Sequence, residues 1–359
     1  MKLAIVHDYL NQFGGAERCI ADLHEVFPNA PIYTAIYDPE KMPPVFREMK
    51  IVTSFMQRLP GIFKHFKKYL FLYPFAFSGF DLSGYDVILS SSSAFAKGVR
   101  KRPGQVHICY CYTPMRFVWR YDDYIKHEAV PGWLKRLLPF LMGPLKNWDL
   151  KTAGQVDHFI AISKLVARRI AEIYHRESDI IYPPVDCDLF QPTGRSGGYF
   201  LVLSRLNAYK RIDLVIEAFN RLALPLKIVG DGPDRERLRS ISLPNVEFLG
   251  RLPDDAVKKI VAECRGLIFP GVEDFGIVPV EAMAAGRPVI AFRGGGALET
   301  IVEDETGLFF DEPTPESLVK AVEKFERLTF DPRIVRAQAL KFDRKIFKQR
   351  MAEYVEKYK

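Results

Sequence analysis

Two glutamates eight positions apart, Glu273 and Glu281, frame the stretch EDFGIVPVE, and two cations, Arg205 and Lys210, share the stretch LSRLNAYKRI. Ionised carboxylates accept hydrogen bonds from hydroxyls, which suits a sugar at one end of a ligand and a ribose at the other. A guanidinium fork and a flexible ammonium suit the non-bridging oxygens of a diphosphate. The four side chains together could hold a polyol joined to a diphosphate. Each also has a plainer reading: Glu273 as a helix-start charge, Glu281 as a surface acid, and Arg205 and Lys210 as solvated cations.

The elements that must carry these residues are legible around them. The run LIFPG reads as a strand, Glu273 falls in the loop after it, and Pro279 suits the first turn of the helix that follows. The backbone amides of Phe275, Gly276, Ile277 and Val278 are then open to an anion, and Glu281 lies about one turn into the helix. LSRLNAYKRI is again a strand end leading into a helix, and VGDGPD adds Gly230, Asp231 and Gly232 after another strand. Near the start of the chain, DYLNQFGGAER carries Gly14 and Gly15 from a strand into a helix, where backbone can approach a phosphate closely. A Gly-Gly turn before a helix is also ordinary turn chemistry. Open α/β sheets bind ligands at the carboxyl ends of their strands, so all four loops sit where such a site would lie.

Strand-like runs alternate with amphipathic helical patterns along the whole chain. LAIVHDY, YDVILSS, VHICYCY and HFIAIS read as strands in the first half, and YFLVLS, LKIVGD, VEFLG, LIFPG and PVIAF in the second. IDLVIEAFNRL, DDAVKKIVAEC and PESLVKAVEKF show helical spacing. The fold class is therefore α/β, with two parallel-sheet domains. Pro and Gly cluster from Tyr182 to Gly198, which places the boundary there. The expected domains are 1–185 and 186–342, with a last helix, about 343–359, packing back on the first. There is no internal repeat.

With 359 residues, 48% apolar and 26% charged, the chain is too apolar for a disordered or fibrous protein and long enough for two cores. Its five cysteines include no C-x-x-C pair, so neither a disulfide framework nor a zinc site is indicated. The opening run is broken by Asp8 and is too short for a secretory leader, so a cytoplasmic protein is expected. The net charge of +7 lies entirely in residues 1–180, which hold 24 Lys and Arg against 17 Asp and Glu. A solvated basic face, an anionic membrane surface and nucleic acid are the alternatives.

The series FGGAE, YTPMRFVW, LSRLNAYKR, VGDGP, FLGRL, EDFGIVPVEAMAAGRPVIA and GGALETI resembles, in order, the retaining nucleotide-sugar-dependent glycosyltransferases of family 4. The resemblance covers nearly the whole chain. It implies the GT-B fold, two Rossmann-like domains facing across a cleft. It further implies that Gly14 and Gly15 line the donor phosphates and that Arg205 and Lys210 stabilise the leaving diphosphate. Glu281 would hold the donor ribose, and Glu273 with the amides of Phe275 to Val278 would bind the transferred sugar and its phosphate. Asp231 and Gly232 join the donor loops, and backbone near Arg251 and Leu252 would meet the nucleobase. Where the family commonly has a His, this chain reads CYTPMRFVW, so Tyr112 takes that place and a sugar-contacting role is expected of it. His107 lies inside a strand pattern and reads as a core residue.

Retention with no evident nucleophile implies attack from the face the diphosphate leaves, without a covalent intermediate on Glu273. Asp186 and Asp188 have the D-x-D spacing of metal-holding transferases but lie in the linker, so they read as turn acids. Metal-independent activity without a cofactor is expected. On the acceptor side, RLPGIFKHFKKYLFLYPFAF mixes Arg58, Lys64, Lys67 and Lys68 with Phe63, Phe66, Tyr69 and Phe71. PGWLKRLLPFLMGPLKNW sets Trp133, Leu134, Leu137, Leu138, Phe140 and Leu141 beside Lys135 and Arg136. Such segments suit an anionic bilayer surface; ordinary helix packing with a solvated edge is the alternative. The resemblance implies a GDP-mannose or UDP-hexose donor, a polyprenyl-linked acceptor in envelope polysaccharide assembly, and a peripheral position at the inner membrane face. An oxidoreductase would need G-x-G-x-x-G where the chain has FGGAER. A nucleic-acid module would need aromatic platforms on a sheet, and no such partner is expected.

Overall fold

The computed structural model describes residues 1–119, 132–195 and 197–358, with residues 132–141 described by backbone alone. The chain forms two compact units, Met1–Pro184 with Phe347–Lys359, and Val185–Ile346. The division falls one residue before the expected boundary. Side chains of Trp133, Leu134, Lys135, Arg136, Leu137, Leu138, Phe140 and Leu141 lie outside the described residues.

The first unit is built on a seven-stranded sheet. Its strands are β1 (Leu3–His7), β2 (Ile32–Thr34), β3 (Ile51–Thr53), β4 (Val87–Ser92), β5 (Val106–Cys111), β6 (His158–Ala161) and β7 (Ser178–Ile180). They lie in the order β3-β2-β1-β4-β5-β6-β7, all parallel. Helices on both faces leave the central strands without a wet side, which is why β1 and β4 are buried along their whole length. The order reverses between β1 and β4: Ile5 is paired with Ile32 on one side and Leu89 on the other. At such a reversal the flanking loops diverge and leave a crevice at the carboxyl edge.

The second unit repeats this plan with β8 (Phe200–Leu203), β9 (Leu226–Val229), β10 (Val246–Gly250), β11 (Gly266–Phe269), β12 (Val289–Phe292) and β13 (Gly307–Phe310). The order is β10-β9-β8-β11-β12-β13, all parallel, with the reversal between β8 and β11. Helices Ile212–Leu222 and Pro315–Glu326 press Phe219, Val322 and Phe325 onto Phe200, Ile228 and Phe310 to form the core. Asp213 in the first turn of one helix and a Thr314 cap on Ser317 N of the other set where they begin.

Four strands escape the sequence reading: β2, β3, β7 and β13. Three of them are three residues long, too short for a period of two to register, and their pairing partners are distant in sequence. The last helix, Arg344–Glu356, begins in the second unit, and from Phe347 onward its residues belong to the first. There Phe347 sets its ring against the edge of Tyr110 (5.6 Å), and the Tyr354 hydroxyl donates to Asp179 (2.8 Å). Among the described residues no helix is long and apolar enough to cross a membrane.

Candidate functional site

In the second unit the chemistry-bearing residues collect at the carboxyl ends of β8 to β12. The loop after β8 turns through a short 3-10 helix, Ala208–Lys210, which closes on Arg211 in the left-handed region (φ 55°). That turn brings the Lys210 ammonium onto a carboxylate oxygen of Glu273, in the loop after β11. These two loops flank the strand-order reversal, so the sheet topology itself accounts for the meeting of residues sixty-three positions apart. The side chains remain 16% and 30% exposed, open enough to change partners. Arg205, in the same loop as Lys210, is exposed and makes no side-chain hydrogen bond to a described residue.

The Glu273 loop is fixed by glycines that the sequence reading left without a role. The Gly296 amide donates to the Glu273 carbonyl (2.9 Å), and a Cβ on Gly295 or Gly296 would overlap the backbone of Glu273 or Phe275. The run Gly294-Gly295-Gly296 is thus a flat surface on which the loop lies, and three consecutive glycines after a strand are the signal that could have shown it. Gly276, at φ 88°, then turns the chain into helix Ile277–Ala284. The first-turn amides at Ile277 and Val278 have no acceptor within the helix and carry its positive dipole end. Glu281 sits on this helix only 6% exposed, which excludes the surface-acid alternative. A carboxylate kept that far from water needs polar partners.

The neighbouring loops are cross-tied. Asp231 and Gly232 pack on the β8 loop, where the Leu206 amide donates to the Asp231 carbonyl (3.0 Å). The Asp231 carboxylate accepts from the Gly232 amide (2.9 Å) and faces Arg235 at 3.7 Å. The Gly230 amide donates to the carbonyl of Gly250 (2.8 Å), which precedes exposed Arg251 and half-buried Leu252. Every residue expected of the donor site in this half of the chain therefore lies on one edge of one sheet.

In the first unit, the Gly14–Gly15 loop follows β1 and opens helix Gly15–Val26. Glu17, buried at 3%, caps that opening from one side by accepting from the Gly14 amide (2.8 Å), three residues before it. Behind it runs a buried polar chain. His7 Nε2 lies 3.9 Å from Glu17, His7 Nδ1 lies 3.1 Å from Ser91 Oγ, and Ser91 Oγ lies 2.9 Å from the Tyr112 hydroxyl. The Tyr112 hydroxyl also donates to the Ala16 carbonyl (3.2 Å), and burial pushes its pKa well above the usual phenol value. The structure thus places Tyr112 against the start of the Gly15 helix with its hydroxyl already bonded. His7 and Ser91 escape the sequence reading because a lone His or Ser inside a strand looks like any core residue, and Glu17 because an acid in a helix's first turn looks like a surface charge.

Asp8, at the end of β1, accepts from the amides of Ser93, Ala94, Phe95 and Ala96 (2.6–3.0 Å) and from the Ser93 hydroxyl, so it ties the two switch-point loops of the first sheet together. His107 lies fully buried, Nε2 on Ser90 Oγ at 2.8 Å, and burial pushes its pKa down to about 3. Asp186 and Asp188 are engaged by Arg344 (3.2 Å) and Lys345 (2.7 Å). Among the described residues no group of three His, Cys, Asp or Glu side chains is placed to hold a metal ion.

The switch-point Lys210–Glu273 pair, the glycine-backed loop and the helix start beside it share one edge of the second sheet. Residues 13–189 match the family described as Glycosyltransferase Family 4, and residues 192–341 match Glycosyl transferases group 1. The chain belongs to the family-4 glycosyltransferases. It is 26% identical over 367 residues to the alpha-1,3/1,6-mannosyltransferase ALG2 of Mus musculus, covering 87% of this chain and 84% of that protein. It is 31% identical over 132 residues to the O-antigen chain mannosyltransferase C of Escherichia coli, about a third of each chain (34% and 36%). The fold is that of Anabaena Alr3699/HepE, solved in complex with UDP, with a TM-score of 0.73 at 18% identity over 99% of this chain and 100% of that one. The GT-B architecture expected from the sequence is therefore the fold of this enzyme.

Proposed function

We propose that the protein is a retaining mannosyltransferase that moves a hexose from a nucleoside-diphosphate sugar to a lipid-linked glycan in surface polysaccharide assembly. GDP-mannose is the donor this reading favours, since both curated relatives are named as mannosyltransferases. The UDP held by the HepE structure supports a UDP-hexose as the second reading. The observation that carries the proposal is the Lys210–Glu273 contact at the switch point of the second sheet.

Breaking the sugar–phosphate bond develops positive charge at the anomeric carbon and negative charge on the departing diphosphate. In this reading Lys210 turns from Glu273 to the diphosphate, Arg205 joins it, and the amides of Phe275 to Val278 stabilise the same charge. Glu273 then accepts from sugar hydroxyls and Glu281 from the ribose. Backbone at Arg251 and Leu252 receives the base, and Asp231 and Gly232 shape the floor. On the first unit, Gly14 and Gly15 offer backbone to the donor phosphates, and Tyr112 works by holding their helix start in place. The acceptor attacks from the face that the diphosphate leaves, with no glycosylated Glu273.

The two cations make a divalent ion unnecessary for charge neutralisation, so turnover is expected to survive EDTA. The acceptor class puts the enzyme at the cytoplasmic face of a membrane. A panel of GDP- and UDP-sugars scored by thermal shift tests the reading, because a ligand of the folded state raises its apparent stability. A rise in Tm with GDP-mannose above that with UDP-sugars is expected. No response to any nucleotide sugar overturns the proposal, as does loss of turnover in EDTA that magnesium restores.

A further inference from the structure

The segment that links β3 to β4 is turned inside out in one respect. Its inward side chains, Ile62, Tyr73, Ala76 and Phe77, are at most 2% exposed and belong to the core of the first unit. Yet Phe63, Phe71 and Phe75 stand out at 37%, 44% and 66% exposure. All exposed phenylalanines among the described residues are in the first unit, and four of the five lie between residues 55 and 75. Scattered exposed apolar groups are normal, but several aromatic rings on one short segment mark a binding surface.

The charge between the rings selects the occupant. Lys64, Lys67 and Lys68 are exposed, and no acidic residue occurs from Met49 to Phe80. A protein partner or a solvated edge would tolerate mixed charge. Rings that can enter the acyl boundary beside lysines that stay at headgroup level match an anionic bilayer.

The segment also lies over a functional edge of the sheet. Tyr9, two residues beyond β1, sets its ring against Phe66 (5.3 Å) and Tyr73 (6.5 Å), and Tyr73 stacks on Phe95 (4.8 Å), just past β4. Both contacts are at the carboxyl edge of the first sheet, the edge that carries Gly14 and Gly15.

We infer that Phe63, Phe71 and Phe75, with Lys64, Lys67 and Lys68, form a monotopic docking face for anionic lipid, which holds the carboxyl edge of the first sheet at the membrane surface. The inference rests on the lipid-linked acceptor reading for its purpose; its evidence is the face itself.

Co-sedimentation of the full chain with phosphatidylcholine vesicles, with and without one-third phosphatidylglycerol, tests it. Binding is expected only with phosphatidylglycerol and weakens as salt rises. K64E/K67E/K68E should lower affinity more than tenfold, since each lysine near such a surface contributes roughly fivefold. Phe75→Ser should weaken binding severalfold with Tm unchanged, because the ring contacts little of the fold. Thermal shifts with nucleotide sugars, taken on the same variants, should match the wild type. Equal vesicle binding by wild type and both variants overturns the inference, as does salt-sensitive binding to an oligonucleotide with none to anionic vesicles. Vesicle binding without any nucleotide-sugar response leaves the docking face standing and removes the proposed donor reading instead.

Discussion

The Lys210 ammonium lies on a carboxylate oxygen of Glu273, across the strand-order reversal of the second sheet, with both side chains partly open to solvent. Each residue is therefore the other's partner until a ligand offers better. In the proposed function a diphosphate would take the cation, and sugar hydroxyls the acid.

This exchange separates the two residues experimentally. Lys210→Ala should lower turnover by about 10²–10³, the usual cost of one preorganised charge-stabilising group. Stability should fall by less than about 1 kcal/mol, because a solvent-open pair contributes little to folding. Glu273→Gln should also lose turnover, yet bind free GDP or UDP at least as tightly as the wild type, since Lys210 no longer has a competing carboxylate. Calorimetric titration decides it. Weaker diphosphate binding by Glu273→Gln would show that the acid assists the cation rather than competing with it.

The loop that carries Glu273 depends on a neighbour with no side chain. A Cβ at position 296 would overlap the backbone of Phe275, so one of the two loops would have to shift. Gly296→Ala should destabilise by about 1–3 kcal/mol, in the range for overpacking a rigid contact. It should also weaken nucleotide-sugar binding, because the displaced backbone is the one that sets Glu273. A denaturant melt with a donor titration checks both, and a variant with wild-type values in each would remove the glycine run from the site.

Which parts of the site could be read from the sequence follows from how local their signals are. The strand–loop–helix around Glu273, Pro279 and Glu281 is contiguous, so its placement was legible. Arg205 and Lys210 are legible as charges at a strand end, but the meeting of Lys210 with Glu273 depends on β8 lying beside β11, which no local pattern states. His7, Glu17, Ser91 and Tyr112 come from four separated positions and meet only because β1, β4 and β5 are adjacent. Tyr112 stands where a His is common; that its hydroxyl is bonded to Ser91 and Ala16 is a property of the packed sheet. The strands β2, β3 and β7 were invisible for the complementary reason, since three residues carry no periodicity.

His107 links burial to pH. Its ring is fully buried, Nδ1 has no hydrogen-bond partner among the described residues, and burial pushes the pKa down to about 3. The unfolded chain takes up a proton near pH 6.5, and the folded one does not until about 3. Between those values the unfolded state binds more protons, so stability falls as the pH drops below about 6.5 and is unaffected by this group above it. From pH 6.5 to 5 the loss is about 2 kcal/mol, at about 1.36 kcal/mol per unit. Urea melts at pH 7 and pH 5 should show this loss in the wild type and a smaller one in His107→Gln. Equal acid sensitivity in the two would mean that another group controls it.

Tyr112 distinguishes positioning from contact with the reacting sugar. Its hydroxyl donates to the Ala16 carbonyl and meets Ser91 Oγ, which His7 also touches. Tyr112→Phe therefore leaves Ser91 with a partner and removes the second bond on the Ala16 carbonyl, which keeps its helix partner, and should cost about 1 kcal/mol of stability. Activity should fall less than tenfold, with the change in KM for the donor, because what loosens is the Gly14–Gly15 loop. Ser91→Ala should give the same pattern, as it breaks the same chain one link further from the helix. A hydroxyl acting on the sugar would behave otherwise: Tyr112→Phe would lose a hundredfold or more in kcat at unchanged Tm, while Ser91→Ala would keep its turnover. Steady-state kinetics on the two variants, paired with their melts, separates these outcomes, and the bonded geometry of the hydroxyl favours the first.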